Sequence, residues 1–265
     1  MPQPAVAVLE AALRARKLDR TLTTALPALE RTDPSALVPT DAAALDACLR
    51  GGLPRGQLSE IAGPRSSGRT TLLLQIIAAV ARRGEIAALV DTFDRFDVAS
   101  ACAAGVDLDR LLWIRGDQVG PWALGPGPSS MLERTVDRAL KALNLVLQAG
   151  GFGVVAMDLA DVPLVALKRI PYTTWLRVQR TIEGSDTACV LVTPEPLARS
   201  AGGVTLSLGA AVQWAGDSDR SRRLAGLELT ARVVSPRRRV HGEARLAATA
   251  ISTSHGATEA RRCIV

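Results

Sequence analysis

Residues 63–71 have the composition of a phosphate-binding loop, because they read Gly-Pro-Arg-Ser-Ser-Gly-Arg-Thr-Thr between an apolar stretch and a helix-like stretch. Glycines let backbone N–H groups point inward, and the following helix offers its positive N-terminal end to an anion. An ordinary tight turn between a strand and a helix is the alternative. We predict a nucleotide-phosphate site whose residues are Gly63, Ser66, Ser67, Gly68, Arg69, Thr70 and Thr71.

One residue departs from the usual pattern, which has lysine directly before the hydroxyl residue. Here that position is Arg69. Arginine keeps the positive charge, but its guanidinium is a planar fork where the lysine ammonium is a compact point charge, so the two are not equivalent in a tight phosphate cradle. The sequence therefore predicts nucleotide binding with absent or very weak ATPase activity.

Phosphoryl transfer also needs a magnesium ion that bridges phosphate oxygens. Thr70 can place its hydroxyl on Mg²⁺, and Asp158 follows the apolar stretch 153–157, where a carboxylate that contacts magnesium through water or through its other ligands is expected. Asp158 could instead be a turn residue at the end of a strand, and Asp161 is the substitute if the strand is shifted. We predict Thr70 and Asp158 as the metal-binding residues.

Short apolar runs alternate with helical patterns along most of the chain. Helices are predicted at 42–49, 72–82, 98–104, from 130 onward and at 172–183, and strands at 57–62, 86–90, 111–114, 152–157, 188–192, 204–214 and 227–234. The last two strands flank a charged loop and are predicted to be antiparallel. The expected fold is α/β, a doubly wound and mostly parallel sheet with a C-terminal antiparallel extension.

Both ends of the chain differ from the part between them. Residues 4–20 predict an amphipathic helix, followed by a proline-rich linker at 27–39. The last thirty residues contain six arginines and two glutamates, so +4 of the net charge of +6 lies there. We predict three parts: 1–40 (helix and linker), 41–235 (core) and 236–265 (a basic, flexible tail).

Several protein classes are disfavoured by the sequence. Apolar runs are shorter than the ~20 residues of a membrane span, and the N-terminus lacks the pattern of a signal peptide. Four scattered cysteines without CxxC spacing argue against a zinc site or a disulfide framework. The expected location is the cytoplasm, without membrane contact.

The stretch from Leu45 to Asp117 resembles the ATPase core of bacterial RecA recombinases, and the similarity continues more weakly to about Ser235. The resemblance rests on four segments: Gly-Gly-Leu-Pro-Arg-Gly at 51–56, the loop at 63–71, Val-Asp-Thr-Phe-Asp-Arg-Phe-Asp at 90–97 and Gly-Val-Asp-Leu-Asp-Arg-Leu-Leu at 105–112. It implies a RecA-like fold with ATP and Mg²⁺ in the loop, subunits assembled around ATP, and single-stranded DNA held by two mobile loops. Asp97 is accordingly added to the nucleotide-binding residues.

Departures from the RecA pattern lie at functional positions. The glutamate that activates water in the family is replaced by Phe93, whose ring cannot accept a proton, and Asp94 is a poor substitute because neighbouring strand side chains point to opposite faces. The tyrosine that stacks on adenine corresponds to Ser100. The glutamine that senses the γ-phosphate falls near Thr193 and Pro194. Because Phe93 cannot act as a general base, no catalytic residue is assigned. Both DNA-binding loops are also shortened.

A RecA-like protein with these departures and a basic C-terminal extension is similar to the ImuA family of RecA-like accessory proteins. That resemblance implies a role in error-prone translesion synthesis during the SOS response to DNA damage. The implied partners are RecA, an ImuB-type Y-family polymerase homologue and an error-prone DNA polymerase, with weak or indirect binding of single-stranded DNA. The alternative is a DNA-dependent ATPase or recombinase in which Arg69 replaces the lysine and Asp94 supplies the carboxylate.

Overall fold

The computed structural model describes residues 34–117, 129–198, 202–234 and 242–249. The predicted helix at 4–20 and the linker up to residue 33 lie outside these ranges. No helix among the described residues is both long enough and apolar enough to cross a bilayer.

The described residues form six α-helices and ten strands. The helices are α1 Ala43–Leu49, α2 Arg69–Arg82, α3 Val98–Ala103, α4 Ser129–Ala149, α5 Leu164–Leu167 and α6 Tyr172–Ile182. The strands are β1 Leu37–Val38, β2 Leu53–Pro54, β3 Leu58–Ala62, β4 Ala87–Asp91, β5 Leu111–Arg115, β6 Val154–Asp158, β7 Ala188–Thr193, β8 Thr205–Ala215, β9 Arg223–Val233 and β10 Gly242–Thr249.

Eight of these strands form one sheet in the order β10-β9-β8-β3-β7-β6-β4-β5. The six strands from β8 to β5 run parallel, whereas β8, β9 and β10 pair antiparallel. The predicted α/β fold, with a mostly parallel sheet and an antiparallel C-terminal extension, is confirmed. β3 lies inside the sheet, with β7 and β8 as its two neighbours.

Two hydrophobic clusters cover the sheet. Because side chains alternate along a strand, Ile61 and Leu89 join a cluster with α1, α2 and α3, whereas Leu58 and Val90 join a second cluster with α4, α5 and α6. Strands β3, β4 and β7 are buried along their whole length, as expected for parallel strands with helices on both faces. The carboxyl ends of these strands are thereby held in a fixed arrangement.

Two strands lie outside the predicted core boundaries at residues 41 and 235. The predicted flexible tail contains β10, which pairs with β9 from Gly242↔Val233 to Thr249↔Gly226. On its inward face Ala244 is buried and Leu246 packs against the hydrophobic cluster. In the predicted linker, β1 pairs with β2, so these residues belong to the core.

Candidate nucleotide-phosphate site

The loop between β3 and α2 has the backbone shape that its glycines and serines predict. Ser66 and Gly68 both have positive φ angles, 60° and 84°. A Cβ atom on Gly63 would lie 2.6 Å from the carbonyl oxygen of Leu208, and one on Gly68 would lie 2.6 Å from a methyl carbon of Leu229. The antiparallel strands β8 and β9 therefore support the loop from behind.

A cavity of about 520 Å³ opens in front of this loop. It is lined by three arginines, three aspartates, two hydroxyl residues and five apolar residues: Arg65, Arg69, Arg95, Asp91, Asp158, Asp161, Ser66, Thr70, Leu73, Leu74, Leu89, Phe96 and Ala160. The structure thus brings four predicted site residues, Ser66, Arg69, Thr70 and Asp158, into one concave space at the carboxyl ends of the strands. Open α/β sheets bind ligands at this edge.

Arg69 is directed towards the protein's own backbone. Its Nη1 donates to the carbonyl oxygen of Thr193 at 2.9 Å and to that of Ala160 at 3.4 Å. Only 6% of the residue is exposed. Burial lowers its pKa, while Asp158 and Asp161 act in the opposite direction. The guanidinium therefore joins α2 to the ends of β6 and β7.

The carboxyl group of Asp158 is in an unfavourable environment for a charge. Burial raises its pKa to about 6, and nearby Asp91 and Asp161 add to this, while the backbone N–H of Ala160 and the charge of Arg69 lower it. Oδ1 accepts the Ala160 N–H at 2.8 Å. Near neutral pH the group is mainly ionised and attracts a cation.

This environment fits the metal predicted for the site. Thr70 and Asp158 line the same cavity, and a bound magnesium ion would offset the acidic charge of Asp158, Asp91 and Asp161. The described residues contain no cluster of three acidic, histidine or cysteine side chains arranged to hold a metal ion alone. Phosphate oxygens and water would have to complete the coordination.

Asp91, at the end of β4, organises the wall opposite the loop. Its carboxylate accepts the backbone N–H groups of Arg95 and Phe96, both at 2.8 Å, and the indole Nε1–H of Trp113 at 3.1 Å. The ring of Phe96 lies 5.1 Å from that of Trp113, centroid to centroid. These contacts place Arg95 and Phe96 at the cavity.

Phe93 and Asp94, at and beside the position that the resemblance gives to the water-activating glutamate, make their contacts outside the cavity. Phe93 is 3% exposed and packs in the hydrophobic cluster with α4. Asp94 has a positive φ angle of 56°, and its two carboxylate oxygens receive the Nε and Nη2 of Arg115, both at 2.8 Å. Neither side chain lines the cavity, so neither is placed to orient water beside the loop.

Other predicted residues have local roles. Asp97 begins α3, where its carboxylate accepts the backbone N–H of Ser100 at 2.8 Å, and hydrogen bonds to Ser100 lower its pKa. Asp97 and Ser100 do not line the cavity, nor do Gly63, Ser67, Gly68 or Thr71. Thr193 is fully buried, and its hydroxyl has no hydrogen-bond partner among the described residues.

Sequence reasoning missed part of the cavity wall. Arg95 and Phe96 lie inside the segment 90–97 that carries the resemblance, but its local pattern does not predict that they line the cavity. The contact of Trp113 with Asp91 joins two parallel strands paired at Leu89↔Trp113 and Asp91↔Arg115. A strand-pairing register is needed to find such a contact, and no local pattern supplies it.

Comparison with known proteins gives a partial match. Residues 22–125 match the RecA N-terminal domain family. The chain is similar to protein RecA of Clavibacter michiganensis subsp. michiganensis (38% identity over 126 residues, 47% of this chain and 30% of the relative). It is also similar to protein RecA of Symbiobacterium thermophilum (37% over 123 residues, 46% and 30%) and of Methylococcus capsulatus (38% over 123 residues, 46% and 30%).

The aligned segments span about 30% of the length of these relatives. The residues 22–125 that match the family model include the phosphate loop and β4, and both contribute residues to the cavity wall. The sheet order and the position of the loop agree with this match. Over residues 22–125, which carry the phosphate loop, the chain is similar to the N-terminal domain of RecA proteins.

Proposed function

We propose that the protein is a RecA-like accessory or scaffold component of error-prone translesion DNA synthesis in the SOS response, with a degenerate ATP site. The observation that carries the proposal is that Phe93, at the position the resemblance gives to the water-activating glutamate, is packed in the core and that neighbouring Asp94 pairs with Arg115. The loop, Thr70 and Asp158 surround a space large enough for nucleotide phosphates. Phe93, at the position of the missing carboxylate, is packed into the core.

The chemistry of the site favours binding over turnover. Attack of water on a γ-phosphate needs a group that orients the water. Asp94 is committed to Arg115, and the positive φ angle of Asp94 directs the chain away from a regular strand. When bound, Mg²⁺ would neutralise phosphate charge, with Thr70 and Asp158 as its protein contacts. Arg65 and Arg95 supply further positive charge at the cavity.

The proposed partners follow from the resemblance to the ImuA family. They are RecA, an ImuB-type Y-family polymerase homologue and an error-prone DNA polymerase, in the cytoplasm, with weak or indirect contact to single-stranded DNA. We assign RecA docking to the N-terminal segment 5–19 and polymerase docking to the segment from residue 236. Because β10 lies within the latter, a truncation that tests polymerase docking must begin after Thr249.

ATP binding and turnover by the full chain, with and without single-stranded DNA, test the nucleotide part. We expect saturable binding of ATP with magnesium and no turnover above the buffer rate. Arg65→Ala, at the cavity, should weaken binding, whereas Arg83→Ala, directly after α2 at its far end, should not. DNA-stimulated turnover would overturn the scaffold proposal and favour a DNA-dependent ATPase or recombinase.

Pull-down assays test the partner part. Charge substitutions at Leu9 and Leu13 should reduce RecA binding, and deletion of residues 250–265 should reduce binding of the polymerase homologue. Retention of both partners by these variants would refute the two docking assignments. Far-UV circular dichroism of each variant controls for loss of fold.

A further inference from the structure

The connection between β7 and β8 must cross the sheet, because β3 lies between these two parallel strands. It starts after Thr193, at the carboxyl end of β7, and reaches β8 at Thr205, which pairs with Glu60. Parallel strands are usually joined by a helix, which satisfies its own backbone hydrogen bonds. In this connection residues 194–198 and 202–204 are neither helix nor strand, so their N–H groups need other partners.

A buried carboxylate in β3 supplies such partners. Oε1 of Glu60 accepts the backbone N–H of Leu197 at 2.7 Å and that of Ala198 at 2.8 Å. Glu60 is 1% exposed and Ala198 is 2% exposed, so these hydrogen bonds are shielded from water. Hydrogen bonds to a charged acceptor in such a setting are about twice as strong as neutral ones.

The β7 end of the same connection is attached to the phosphate loop. The carbonyl oxygen of Thr193 accepts from Arg69 Nη1 at 2.9 Å and from the backbone N–H of Gly63 at 3.2 Å. Near β8, the Ser59 hydroxyl accepts the N–H of Val204 at 3.1 Å. Residues of β3, the loop and α2 therefore hold this connection at several points.

We propose that Glu60 and Arg69 are positioning residues that anchor residues 193–198 to the phosphate-loop strand, so that this segment keeps one position with or without nucleotide. The anchor consists only of protein groups. Arg69, which occupies the usual lysine position of the loop, donates its hydrogen bond to a backbone carbonyl oxygen. The inference goes beyond the proposed function, since it concerns how the protein's own groups hold this segment.

Amide hydrogen exchange of the full-length chain, read at Leu197 and Ala198 by NMR, tests the anchor. In ligand-free protein both amides should exchange slowly, and saturating ATP with magnesium should change their rates less than threefold. Glu60→Gln removes the charge of the acceptor and should speed exchange at both amides roughly ten- to a hundredfold, the range for a hydrogen bond to a charged group. Amides in the middle of α2 should be unchanged, which a general loss of stability would not allow.

Glu195→Gln is the matched control, because Glu195 lies in the same segment with a largely exposed side chain, 3.9 Å from Lys168. Its exchange pattern should equal that of the wild type. Fast exchange in ligand-free wild type, or marked slowing when ATP is bound, would overturn the proposal. If no ATP binds, the nucleotide part of the proposed function fails, and the ligand-free exchange rates of wild type and Glu60→Gln still test the anchor. If Glu60→Gln does not fold, the wild-type exchange rates at Leu197 and Ala198, with and without ATP, test the anchor.

Discussion

Asp158 should reduce the stability of the protein at neutral pH, and replacing it with asparagine should raise it. The pKa of Asp158 is raised from 3.8 to about 6, chiefly by burial. Each pKa unit corresponds to about 1.4 kcal/mol, so a shift of about two units costs about 3 kcal/mol once the folded protein carries the ionised group. The asparagine side chain would keep the Oδ1 that accepts the Ala160 N–H.

The pH dependence has a defined sign. Below pH 3.8 the carboxyl group is protonated in both the folded and the unfolded protein, so it does not lower the free energy of unfolding. Between pH 3.8 and about 6 the unfolded chain releases the proton first, so stability falls as pH rises, and above about pH 6 the cost stays constant. Asp158→Asn should therefore gain up to about 3 kcal/mol at pH 7.5, but only about 1 kcal/mol at pH 4.5.

Urea unfolding of wild type and Asp158→Asn at these two pH values measures the difference. Asp161→Asn is the control, since Asp161 lines the same cavity but forms a surface ion pair with Arg65 at 3.0 Å, worth about 0–1 kcal/mol. An equal gain at both pH values, or a loss at pH 7.5, would refute the electrostatic reasoning. The asparagine variant should also bind ATP with less dependence on magnesium.

Three further changes test the packing around the site. Gly68→Ala should lower the free energy of unfolding by about 2–4 kcal/mol, because φ is 84° and the added Cβ meets a methyl group of β9. An unchanged urea unfolding curve would contradict this. Trp113→Phe removes the indole N–H that donates to Asp91 and should lower the free energy of unfolding by about 1.5–3 kcal/mol in the same assay. A decrease of less than about 0.5 kcal/mol would show that water replaces the indole N–H. Ala244→Glu, at a buried position of β10, should lower the melting temperature by several degrees, whereas Ala247→Glu on its exposed face should not; equal effects would argue against the strand.

Much of the fold could be predicted because its signals are local. The runs at 86–90 and 188–192 are continuous and apolar, and the structure has strands at Ala87–Asp91 and Ala188–Thr193. β10 was missed because its core positions are alanine and leucine among charges, a pattern too weak without the edge of β9. The short helix α5 was missed for a similar reason, since four residues give no periodicity.

The candidate site was predictable only in part. The loop is one continuous segment, so spacing alone located it. The direction of Arg69 depends on carbonyl groups at Ala160 and Thr193, which are far from it in sequence. The pairing of Asp94 with Arg115 likewise depends on which strand lies beside β4. Long-range pairing therefore decides which charges face the cavity, and it cannot be read from the segment itself.

The central position of β3 has a consequence for synthesis of the chain. Its two neighbours, β7 and β8, follow from residue 188 onward, so the strand that carries the phosphate loop has both edges unpaired until then. At about 5–20 residues per second, a ribosome needs roughly 6–25 s to cover this interval. During that time both edges of β3 are open to wrong pairing. Ligand binding would begin only after the C-terminal third has left the ribosome, and chaperones that shield strand edges should matter most in this interval.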